Sequence, residues 1–273
     1  MKWLPLALAS ASFGCAEMEG DVGQQNDEAV VTENGLRSAN GLHSANGLHA
    51  SNGLATTEGL SNTDGLMTTA DGRNQVAYLV RCALPATASI TKGSYTFQGL
   101  LGLAPQWQNG ACDTNCQEAV SACMLAHVNT AGLHIPLWIV AQAASVGWGQ
   151  DPEFPNQEGA FFGNVFTLGA HGTDPTKMPM YYCAGAKYSL NAPQGRIGGT
   201  QTNPPYVNAY GSANASCTGT TQLPRCNVAD YPSQADGFKA CNGWNNVITV
   251  WRQNIVTTST APSGGVGRGY RWK

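Results

Sequence analysis

The sequence predicts an α+β fold: two N-terminal helices packed on a loop-rich, disulfide-stapled β portion. Three observations carry that expectation. Two segments repeat apolar residues at helical spacing, and each is preceded by capping residues. Several short β-branched and aromatic runs follow, separated by Gly, Pro, Asn and Thr. Eight of the nine cysteines fall between Cys82 and Cys241, an even set available for four disulfides.

The first helix is expected over residues 69–83. Thr68 and Asp71 form a Thr-x-x-Asp capping pattern, Val76, Leu79, Val80 and Ala83 recur at helical spacing, and Pro85 stops the run. The second is expected over residues 115–128, with Thr114 and Gln117 as its capping box and Gly132 beyond its end. Its buried stripe reads Cys116, Val120, Cys123, Met124 and His127. Cys116 and Cys123 share that face but lie about 10 Å apart along the axis, too far to bond to each other. Cys82, on the first helix, is a candidate partner for one of them.

A hairpin is expected over 89–97 around Lys92-Gly93. The apolar run 134–141 reads as a strand, placed at a sheet edge by Pro136. Residues 161–168, 180–183 and 247–253 read as further strands. Cys183, Cys217, Cys226 and Cys241 complete the set with Cys82, Cys112, Cys116 and Cys123. Eight cysteines allow 105 pairings, so connectivity stays open. Only 11% of residues are charged. Disulfides, each contributing about 2–4 kcal/mol, therefore weigh more than salt bridges.

Three regions are expected: 1–14, 15–73 and a single domain over 74–273. Residues 16–73 hold nine acids and two bases, and residues 74–273 hold eight acids and eleven bases. Neither balance calls for nucleic acid. The middle region carries a strict period of six, with Gly-Leu pairs beginning at Gly35, Gly41, Gly47, Gly53, Gly59 and Gly65. Asn precedes the first four; Glu58 and Asp64 precede the last two. One apolar residue in six is too little to offset an ordering entropy of roughly 1–2 kcal/mol per residue. The expectation is a disordered tether with a coil size on the order of 40 Å, not a β-helix. His43 and His49 read as variable filler within it.

The ninth cysteine stands apart. Lys2 and the apolar stretch 3–11 precede Ser12-Phe13-Gly14-Cys15. This stretch is too short to span a bilayer. The segment resembles a bacterial lipobox, and with the repeat behind it the chain resembles the general layout of bacterial lipoproteins. The resemblance covers the first third of the chain. It implies a signal peptide over 1–14, lipidation of Cys15, and attachment to the outer surface of a bacterial membrane or envelope. The domain is then extracytoplasmic, where disulfides persist.

No motif for acyl transfer, zinc proteolysis or nucleotide binding occurs, and neither a metal nor a cofactor is expected. Cys112-x3-Cys116 approaches a metal spacing but lacks a second pair. Aromatics outnumber candidate acids. Cys241-Asn242-Gly243-Trp244-Asn245-Asn246 reads as a binding loop, in which Trp244 stacks on a sugar face while Asn242 and Asn245 read hydroxyls. Tyr181 and Tyr182 extend that surface. The function expected is a cell-surface lipoprotein whose domain binds or structures an external ligand, with glycan the leading class. The alternative is a secreted hydrolase using His171 or His127 with Glu158. His127 also fits a buried structural role on its helix.

Overall fold

The computed structural model describes residues 25–26, 29–34, 42, 46–128, 135–149, 151–169, 178–184, 208–209, 226–227, 237–238, 240–241 and 243–253. In chain order these form β1 (Gln25–Asn26), β2 (Ala29–Asn34), α1 (Ala70–Ala83), β3 (Ser89–Lys92), β4 (Tyr95–Gln98) and α2 (Thr114–His127). Then come β5 (Ile135–Ala141), β6 (Asn156–Gly163), β7 (Met180–Ala184), β8 (Asn208–Ala209), β9 (Cys226–Asn227), β10 (Ala240–Cys241) and β11 (Ile248–Arg252). The fold is mixed α+β. One seven-stranded sheet runs β1-β2-β5-β11-β6-β7-β8, and β3-β4 and β9-β10 are separate antiparallel pairs. Within the large sheet only β7 and β8 run parallel.

Both helices form where apolar periodicity places them, but each cap lies one residue from its expected position. Thr69 Oγ1 accepts from the Gly72 N–H at 3.0 Å. The neighbouring Thr68 hydroxyl instead donates to Gly65 O. At α2 the cap is Asp113, whose carboxylate accepts from the Cys116 N–H at 2.9 Å. Gln117 turns its amide back to Cys112 O. A carboxylate at the cap satisfies the free N–H and also meets the positive end of the helix dipole. From Val120 to His127 every residue of α2 is buried, the pattern of a helix enclosed on all sides. It touches α1, β6 and β11.

Cys82 and Cys123 form a disulfide joining α1 to α2, with Cα atoms 5.8 Å apart. Cys112 and Cys116 form a second at the start of α2. In β9-β10, Cys226 and Cys241 are direct backbone partners. Cys15 and Cys217 lie outside the described residues, and so do the side chains of Cys183, Cys226 and Cys241.

β5 lies between β2 and β11, so the edge position expected from Pro136 is not observed. Pro136 is the second residue of its strand, opposite Glu33, where the ladder is just beginning. β6 starts five residues before the expected strand. Its run Gln157–Gly163 is buried throughout and shows no polar alternation to read from sequence.

The largest difference lies in the repeat. Leu42, Leu48, Leu54, Leu60 and Leu66 all belong to the main core cluster, beside Val76, Trp107 and Val120. Leu42 and residues 46–73 are therefore part of the domain, and β1 and β2 join its sheet, contrary to the tether expectation. The repeat has too little apolar surface to offset its ordering entropy against itself; here it buries its leucines against the helices. The backbone folds back on itself, with Leu48 bridged to Leu60 and the Ser61 N–H donating to Gly47 O. The glycines permit this approach. A Cβ on Gly59 would stand 1.9 Å from Gly53 O, and one on Gly65 would stand 1.9 Å from Asn46 O.

Lys92 fastens the stretch to the β3-β4 hairpin. Its side chain is 0% exposed, and its ammonium donates to Thr56 O at 2.5 Å and Leu60 O at 2.8 Å. Burial pushes the Lys92 pKa below the ordinary lysine value, and Glu58 partly opposes that shift.

Candidate functional site

A cleft of about 310 Å³ opens between α2, the end of β5 and the start of β11. Ala119 and Ala122 of α2, Ala141 and Ala143 around the end of β5, and Leu103 give it a wall of small apolar groups. Gln142, Asn245 and Asn246 supply three primary amides to the same cleft.

Local structure places the residues that carry these amides. Gln142 sits at the head of a tight turn, closed by the Val146 and Gly147 N–H groups donating to Ala143 O. The Ala141 N–H in turn donates to Gly147 O. Gly147 holds φ at 77°, a left-handed value that suits glycine. Asn246 Nδ2 donates to Glu118 Oε2 at 3.2 Å, tying the loop before β11 to α2. Glu118 is itself buried.

Trp244 anchors that loop from the other side. Its ring meets Tyr181 at 6.0 Å in a T-shaped contact and Phe162 at 6.5 Å, and all three residues are buried. With Trp244 inside, Asn245 is left exposed. Tyr182 alternates to the opposite face of β7, against Phe161 in the main core. The rings expected to stack on ligand therefore pack inside the domain, Trp244 against Tyr181 and Tyr182 against Phe161, and the loop presents amides. Asn242 lies outside the described residues.

Two of the expected hydrolase residues, His127 and Glu158, occupy other surroundings. His171 lies outside the described residues. His127 is buried at the end of α2, its Nδ1 2.7 Å from Cys123 O and 3.6 Å from Cys123 Sγ. The Tyr78 ring lies against it. Cys82, Cys123 and His127 bring their ligand atoms within 4.8 Å of one another. Cys82 and Cys123 are bonded to each other, so the cluster as it stands offers no thiolate to a metal. Glu158 is 0% exposed and pairs with Arg252 Nη1 at 3.2 Å. It occupies the register shift between Val250 and Trp251, where β6 carries one residue more than β11. Such a bulge re-aims a side chain.

The chain matches no protein-family model, no curated protein and no solved structure. The geometry of the cleft is then what bears on function.

Sequence reasoning missed Gln142, Glu118 and Arg252. Glu118 carried a signal: on α2 its neighbours one and two turns on are Ala122 and Leu125, so a lone acid falls on an apolar stripe. Arg252 ends the apolar run of β11 in the same way. Gln142 carried none, since the turn that presents it depends on β5 pairing with β11.

Proposed function

We propose that the protein is a cell-surface lipoprotein whose extracytoplasmic domain, with helices lying over its β portion, binds a hydroxyl-rich ligand of the glycan class. The observation that carries this reading is the convergence of Gln142, Asn245 and Asn246 on one cleft walled by alanines. Primary amides both donate and accept, which matches vicinal hydroxyls and acetamido groups. The shallow alanine wall admits the apolar face of a sugar. The paired cysteines support a setting outside the cytoplasm.

Calorimetric titration with soluble oligosaccharides, N-acetylated ones included, tests the binding claim. Asn245→Ala and Gln142→Ala should each weaken binding about tenfold, the loss of roughly 1.4 kcal/mol. Thermal stability should hardly move, because both side chains are exposed. Absence of saturable binding by the unaltered chain to any of the sugars overturns the ligand class.

The attachment claim has its own test. Cys15→Ser should move the protein from the membrane fraction to the soluble fraction on cell fractionation. Retention of the variant in the membrane would sink the anchor.

A further inference from the structure

The docked repeat is held in a way that hardly consults its side chains. Trp107 Nε1 donates to Asn52 O at 3.1 Å, and Lys92 donates to Thr56 O and Leu60 O. The Leu54 N–H donates to Trp107 O, the Ala55 N–H to Gln108 O, and the Cys112 N–H to Ala50 O. Every one of these bonds uses the backbone of the repeat, which any residue but proline supplies. The side chains the domain encloses are the leucines, one every six residues. Close approach demands glycine at the same period: a Cβ on Gly53 would lie 2.5 Å from the Asn109 carbonyl carbon.

Moving the chain six residues along this track restores nearly the whole set. Leu48 would take the place of Leu54, Gly47 that of Gly53, and the carbonyls of Asn46 and Ala50 those of Asn52 and Thr56. What changes is the charge beside Lys92, where Asn52 would replace Glu58, and the turns inside the repeat. The Thr56 hydroxyl, which bonds Gly53 O and the Gly59 N–H, would become Ala50. Ser61, whose Oγ accepts from the Thr63 and Asp64 N–H groups, would become Ala55.

We infer that the track lined by Lys92, Trp107 and the 108–112 backbone is a binding site for Asn-Gly-Leu hexads as units, so that any phase-matched hexad of this chain can fill it. The native register is selected by the Thr56 and Ser61 turns and by the run into α1. The hexads at Gly35 and Gly41 are chemically equivalent occupants.

The test inserts a second copy of residues 46–51 between Ser51 and Asn52 of the full chain, with five- and seven-residue insertions at the same point as controls. Loop-closure entropy barely distinguishes five, six and seven added residues. A site that reads hexads keeps its leucines and glycines in phase only with six. The six-residue insertion should then leave the thermal midpoint within about 2 °C of the parent, with the controls several degrees lower. Register is read directly by adding Leu42→Asp. In the parent Leu42 is in the core, and the substitution should lower the midpoint by about 5 °C or more. In the six-residue insertion chain Leu48 takes that place, Leu42 is displaced toward β2, and the same substitution should have little effect. Equal midpoints for all three insertions, or an undiminished Leu42→Asp effect in the six-residue chain, overturns the inference.

Discussion

Leu54→Ala should lower the unfolding free energy of the full chain by about 2–5 kcal/mol, the range for a buried leucine reduced to alanine. The midpoint of thermal unfolding should fall by about 2–4 °C for each kcal/mol in a chain of this size. Leu54 is fully enclosed and shares the core cluster with Trp107. Removing its isobutyl group leaves a void beneath backbone held by the Leu54 N–H to Trp107 O bond at 2.8 Å. That bond limits collapse of the site, which places the effect toward the upper half of the range. A disordered tether makes the opposite prediction, because a leucine already in water loses nothing. Urea unfolding followed by circular dichroism separates the two, and an unchanged midpoint would remove residues 46–66 from the core.

The second large effect concerns Glu158 and Arg252. Glu158→Gln should destabilise the protein by about 3–5 kcal/mol, because it leaves the Arg252 guanidinium buried opposite a neutral amide. Exposures of 0% for Glu158 and 4% for the Arg252 side chain mean that water cannot take the partner's place. The double change Glu158→Leu with Arg252→Met should recover most of that loss, since apolar replacement of a buried pair is often neutral or better. A double-mutant cycle by chemical unfolding reads the coupling directly. Additive single effects would mean that the two groups do not depend on each other, and would reopen a chemical role for Glu158.

Much of this architecture was legible because its signals are local. Val76, Leu79 and Val80 announce α1, and the Lys92-Gly93 turn announces the hairpin, with Gly93 at a φ of 58°. Cys82 and Cys123 were open to pairing once each was placed on a helix face, and the structure joins them. What was missed depends on distant partners. Val30-Val31-Thr32 is a β-branched run, yet it becomes β2 only by pairing with Ile139, Trp138 and Leu137 of β5. The hexad leucines look too sparse to fold because their burial comes from helices that begin at residue 70. For the cleft, the sequence singled out the segment 241–246, and the structure places Asn245 and Asn246 of that segment on the lining. The role assigned to Trp244 was inverted: its ring holds the loop from inside, because Phe162 and Tyr181 form a surface for it that no neighbour in sequence reveals.

The clasp between Lys92, Trp107 and the repeat also sets an order of events during synthesis. Thr56 leaves the ribosome 36 residues before Lys92, and Asn52 leaves 55 residues before Trp107. At about 5–20 residues per second, those separations amount to roughly 2–11 s of synthesis before the covering surface exists. Five polar or small positions for each leucine keep the waiting segment from clumping, the same spacing that made it look unable to fold. The repeat is thus made before the surface that closes over it, and it acts as a latch that shuts only over a finished pair of helices.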